Sequence, residues 1–83
     1  IVDDIFDTGN TINAVIDYLK VKDPSMISVV TLLKRKNSPS LLVPNSFVDN
    51  HYNVIEIDEE WVIGYGLDDD KGHCRNYRTI FEI

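Results

Sequence analysis

The chain has 83 residues, so at most one domain fits, and folding at that length buries only around 60% of the unfolded surface. A net charge of −6 argues against a nucleic-acid binder, because phosphate backbones select basic faces. The 43% hydrophobic and 27% charged content is that of a globular domain, and no apolar stretch approaches the ~20 residues that a membrane-spanning helix needs.

The first residues, Ile1-Val2-Asp3-Asp4-Ile5, form a β-branched apolar run broken by two acids, which reads as the end of a strand. The chain enters this run without a methionine. We therefore expect residues 1–83 to be the C-terminal portion of a single domain whose N-terminal elements precede it. Asp7-Thr8-Gly9-Asn10-Thr11 follows as a loop of turn and N-cap residues. Ile12, Val15, Ile16 and Leu19 then recur at helical spacing on one face, and the helix should stop near Lys20–Lys22 because Pro24 drives Asp23 out of the α region. Ile27–Leu33 is nearly all apolar, which predicts a strand in a parallel sheet buried on both faces. Residues 34 to 44 read as a loop, and Tyr52–Ile57, Trp61–Tyr65 and Thr79–Ile83 as three further strands. Between the last two lies a polar, glycine-flanked loop, Gly66 to His73. The fold class is therefore α/β, a parallel sheet with flanking helices.

A strand that ends in carboxylates and runs through a glycine turn into a helix start is a ligand site in open α/β sheets. The helix N-terminus offers N–H groups to an anion. Gly9 permits a positive φ or close backbone approach, and the hydroxyls of Thr8 and Thr11 add donors. The loop thus suits a phosphate. Asp3 and Asp4 suit the sugar hydroxyls attached to it, and Asp7 can exchange a proton with a nearby heterocycle.

The segment from Val2 to Thr11 resembles the phosphoribosyl pyrophosphate motif of the type I phosphoribosyltransferases: hydrophobic residues, two acids, two hydrophobic residues, then Asp-Thr-Gly-x-Thr. Glu60-Trp61-Val62-Ile63-Gly64-Tyr65-Gly66-Leu67-Asp68, with Arg75 and Asn76 beyond, resembles the 6-oxopurine branch, whose bases are hypoxanthine, guanine and xanthine. The two motifs come in the family's order and cover nearly the whole chain. The resemblance implies a purine-salvage transferase acting on phosphoribosyl pyrophosphate and a purine base, with Mg2+ as cofactor, in the cytoplasm, homo-oligomeric at full length, and inactive as this segment alone. It places Asp3 and Asp4 on the ribose hydroxyls and Asp7 as general base at purine N7. Asp7, Thr8, Gly9, Asn10 and Thr11 would cradle the 5′-phosphate. Trp61 would stack on the purine, the Val62 backbone would meet its edge, Asp68 would border the purine and hold the metal, and Arg75 would meet pyrophosphate. Where the family places a lysine against the purine 6-oxo group, an ungapped alignment puts Arg35, with Lys34 and Lys36 one residue away.

Other readings of the same residues stand beside these. By pattern alone Trp61 is a core residue, Asp68 to Asp70 a polar loop, and Lys34 to Lys36 a solvated turn. His51 and His73 lack metal-ligand spacing and read as surface residues; Glu56, Asp58, Glu59 and Glu60 read as a solvated strand edge and turn. Cys74, the single cysteine, cannot close an internal disulfide and fits a reducing compartment. The alternative function is a non-catalytic sensor of phosphoribosyl pyrophosphate on the same fold.

Overall fold

The computed structural model describes residues 1–40 and 48–83. Three strands, β1 (Val2–Phe6), β2 (Ser28–Arg35) and β3 (Asn50–Ile57), form a parallel sheet in the order β1-β2-β3. Helix α1 (Asn10–Lys20) connects β1 to β2. A short antiparallel pair, β4 (Val62–Ile63) and β5 (Phe81–Glu82), stands as a second sheet.

The helical face predicted from the sequence is the one that packs. Ile12 and Ile16 are buried and Leu19 is half-buried against Phe6, Ile27, Val29 and Val48. Each fully buried aliphatic side chain contributes about 1.5–3 kcal/mol. Val15 lies at the margin, 36% exposed. The helix begins two residues before Ile12, because Gly9 at φ 87° turns the chain and Asn10 and Thr11 make the first turn. It ends at Lys20, and Asp23 turns left-handed at φ 54° ahead of Pro24.

Three expectations change. Lys34 and Arg35 belong to β2 rather than to a loop: Lys34 pairs with Phe6 and Glu56, and Arg35 with Ile57. The part of that expected loop from residue 41 onward lies outside the described residues. The strands expected over 61–65 and 79–83 shrink to two residues each. Positive φ at Gly64, Tyr65 and Gly66 bends the chain away from an extended ladder. Finally, α1 covers one face of the sheet, while Val2, Val30 and Tyr52, a registered row across the other, are 84%, 40% and 60% exposed. The apolar β2 is therefore buried on one face only among the described residues.

A second core cluster positions the site. Leu33, Ile57 and Val62 are buried together, with Ile5, Leu67 and Ile80 packed around them. This cluster seats the β4 region against the last residues of β1, β2 and β3. Among the described residues no helix is long and apolar enough to cross a membrane.

His51 is not a plain surface residue. The parallel register sets it beside Val29, its ring meets Phe6 edge-on at 4.9 Å, and its Nε2 lies 3.3 Å from the Oγ1 of the fully buried Thr31. Burial pushes its imidazole below the ordinary value of 6.5, and the nearby Lys34 charge adds to this. The unfolded chain then binds the proton more readily than the folded one. Stability should hold above pH 6.5 and fall as the pH drops from there towards the lowered folded value. Denaturant midpoints at pH 7.5 and 5.5 should differ in the parent and converge in His51→Gln.

Candidate active site

The β1–α1 turn is built as the motif requires. Gly9 adopts φ 87°, and a Cβ there would sit 3.0 Å from the Phe6 ring. With glycine at the N-cap no side chain caps the helix from that position, and no acid occupies the first turn; Thr8 Oγ1 accepts the Asn10 N–H at 3.3 Å. The N–H groups of a first helical turn have no intrahelical acceptor, so this end carries the positive pole of α1 without a competing carboxylate in that turn. Asp3, Asp4, Asp7, Thr8, Gly9 and Thr11 together line a cavity of about 270 Å³. Asn10 does not line it.

Asp3 and Asp4 are held locally. One oxygen of Asp3 accepts the Asp4 N–H at 2.9 Å, and one oxygen of Asp4 accepts the Ile5 N–H at 2.7 Å. Each carboxylate keeps its second oxygen for other donors.

A second cavity, about 190 Å³, is lined by Ile5, Asp7, Arg35, Trp61, Val62, Leu67 and Asp68. It unites Ile5 and Asp7 of the opening motif with Arg35 at the end of β2 and with the segment from Trp61 to Asp68. Trp61 is half-exposed, and its Nε1–H donates to the Asp68 carbonyl at 3.1 Å, which fixes the indole at the rim. The Trp61 carbonyl accepts the Ile83 N–H at 2.8 Å. The Val62 side chain is 5% exposed in the second core cluster, so its position is set by packing. Of the three candidate cations, Arg35 lines this cavity. Its Nε lies 3.4 Å from Asp7 Oδ1, and its Nη1 donates to the carbonyls of Asp58 and Glu60 at 2.6 and 2.9 Å. Lys36 instead pairs with Asp58 at 3.2 Å.

Asp68 and Arg75 are brought to each other. Arg75 Nη2 meets Asp68 Oδ2 at 2.9 Å, and its Nη1 donates to the Gly66 carbonyl at 3.0 Å. Arg75 lines neither of the two cavities. Next to this pair, Asp69 accepts the backbone N–H groups of His73 and Lys71, and these hold its carboxyl below the usual carboxylate value. No group of three or more His, Cys, Asp or Glu side chains among the described residues is arranged to hold a metal ion. Magnesium is commonly held by one or two carboxylates together with substrate phosphates, so Asp68 fits such an ion only jointly with a phosphorylated ligand.

Residues 1–70 match the phosphoribosyl transferase domain family. The chain belongs to that family. Over its whole length the phosphoribosyltransferase chain is 37% identical to the hypoxanthine phosphoribosyltransferase of Haemophilus influenzae, of which it spans 43%. It is 37% identical to the hypoxanthine-guanine phosphoribosyltransferase of Rattus norvegicus, spanning 35% of that protein. The fold superposes on the hypoxanthine phosphoribosyltransferase of Trypanosoma cruzi, solved with its product IMP, with a TM-score of 0.78 at 36% identity; all of this chain and 42% of that one are covered. The chain thus spans less than half the length of the relatives it matches.

Sequence reasoning did not find Ile5 and Leu67 as walls of the second cavity, nor the Asp58 and Glu60 carbonyls as partners of Arg35. Ile5 and Leu67 carry a signal only as neighbours of motif residues, Asp4 and Asp68. The carbonyls have none, because a backbone acceptor leaves no trace in residue type.

Proposed function

We propose that the protein carrying this phosphoribosyltransferase chain works in purine salvage, moving the 5-phosphoribosyl group from phosphoribosyl pyrophosphate to a 6-oxopurine. The products are the nucleoside monophosphate and pyrophosphate. The observation that carries this reading is the placement of Asp7: it is the one carboxylate shared by the phosphate-type cavity and the cavity bordered by Trp61.

In this reading the N–H groups and hydroxyls from Thr8 to Thr11 hold the 5′-phosphate at the positive end of α1. The free oxygens of Asp3 and Asp4 accept the ribose hydroxyls. A purine in the second cavity stacks on Trp61, and Arg35 stands beside its polar edge. As purine N9 bonds to C1′, the C1′–oxygen bond to pyrophosphate breaks, and Asp7 takes the proton from N7. Positive charge developing on the sugar is met by the carboxylates of the motif, so positioning and charge stabilisation are the protein's main contributions. Asp68 is the carboxylate here that would hold a magnesium ion, which would supply neutralisation of charge on the leaving pyrophosphate, and Arg75, paired with Asp68, would add a cation for that group.

The roles of Asp3 and Asp4 are tested by titrating phosphoribosyl pyrophosphate with magnesium into the intact protein by calorimetry. Asp3→Ala and Asp4→Ala should each weaken binding by about 10-fold or more, the scale of a lost hydrogen bond to a charged group. Binding of both variants at parent affinity would remove the ribose role.

A further inference from the structure

The Arg35 side chain is 14% exposed, while the Asp7 side chain it faces is 57% exposed. Three of its five N–H donors are directed at groups of the protein. Nε is directed at Asp7 in the β1–α1 turn, and both Nη1 hydrogens go to the β3–β4 connection, at the Asp58 and Glu60 carbonyls. The Glu60 carbonyl belongs to the peptide bond that enters Trp61. The far side of the indole is fixed in turn by the Asp68 carbonyl. Arg35 and Asp7 also line a cavity of about 520 Å³ beyond the one that holds Trp61, so the pair forms the wall between the two. The remaining side-chain ties of the same connection are weaker. Lys36–Asp58 is an exposed ion pair, and Asn37–Glu59 is a 3.5 Å contact.

We infer that Arg35 is a positioning residue: its planar fork sets the spacing between the proton acceptor Asp7 and the stacking platform Trp61, and through that spacing governs purine affinity. This rests on the functional reading given above. A lysine would keep a cation near Asp7, but it could not present one donor to Asp7 and two to the carbonyls in a fixed plane.

The test compares Arg35→Lys and Arg35→Gln with the parent in the intact protein. Phosphoribosyl pyrophosphate and the purine are varied separately, and amide hydrogen exchange is followed at Ile83, whose N–H is held by the Trp61 carbonyl. Both variants should raise KM for the purine by ~10-fold or more, the scale of one hydrogen bond from a charged group, with KM for phosphoribosyl pyrophosphate changed less than ~2-fold. Arg35→Lys should keep kcat within ~3-fold of the parent, and Arg35→Gln should fall below it, because only lysine leaves a cation beside Asp7. Exchange at the Ile83 N–H, which the Trp61 carbonyl accepts, should quicken in both. A purine KM within ~2-fold of the parent in Arg35→Lys, or equal rises in the two KM values, overturns the positioning role. So does unchanged exchange, which reads the contact even without turnover. A parent that releases no pyrophosphate with any purine overturns the functional reading instead.

Discussion

Asp7→Asn should lower turnover of the intact protein by about 10²-fold, a loss of ~2.7 kcal/mol of transition-state stabilisation, while phosphoribosyl pyrophosphate still binds. Asparagine keeps the shape of the side chain and removes its charge and its capacity to take a proton. Asp7 is the shared carboxylate of the two cavities, so no neighbour can substitute without moving. The substitution also removes the 3.4 Å pair with Arg35, but Asp7 is 57% exposed there. A pair with one partner this exposed contributes about 1 kcal/mol or less, so the melting temperature should fall by no more than a few degrees. Steady-state kinetics and a calorimetric titration on the same preparation separate the two effects. Turnover near the parent level would remove Asp7 from the chemistry.

Gly64→Ala should destabilise the protein by about 3 kcal/mol or more, the range reserved for buried backbone overlap and strain at a special φ. Gly64 is buried at φ 91°, and a Cβ there would lie 2.1 Å from the Thr79 carbonyl oxygen. That oxygen is backbone and cannot swing aside. The adjacent pairing of Val62 with Glu82 and Ile63 with Phe81 would have to open, which shifts the Trp61 side of the site. Gly66→Ala is the control. Gly66 has a similar φ of 96° but no atom within 4 Å of the added carbon, so only the left-handed conformation costs, about 1–2 kcal/mol. Denaturant unfolding of both variants reads the difference. Equal losses would show that the Thr79 contact is not the constraint.

The β1–loop–α1 unit was legible because its signals are local. Apolar residues stop at Asp7, glycine supplies the turn, and Ile12, Ile16 and Leu19 repeat at the helical period. The other half of the site was reached through the resemblance, not through periodicity. β4 has two residues, too few to show alternation, and the left-handed Tyr65 carries no residue-type signature. Arg35 could be aligned but not understood, since its partners Asp58 and Glu60 lie 23 and 25 residues away and offer backbone oxygens. His51 was misread as a surface residue because its neighbours Phe6 and Thr31 come from β1 and β2, and only the register brings them together. The open face of the sheet concerns the described residues of a chain that spans 42% of its structural relative. The apolar run in β2 reports that both faces suit burial, and says nothing about which elements do the covering.

The account is tested most directly by pyrophosphate release from the intact protein, supplied with magnesium, phosphoribosyl pyrophosphate and, separately, hypoxanthine, guanine, xanthine or adenine. Release with at least one 6-oxopurine and none with adenine is the predicted result. Binding of phosphoribosyl pyrophosphate without release in the presence of any base would contradict the transferase reading and leave a sensor on the same fold.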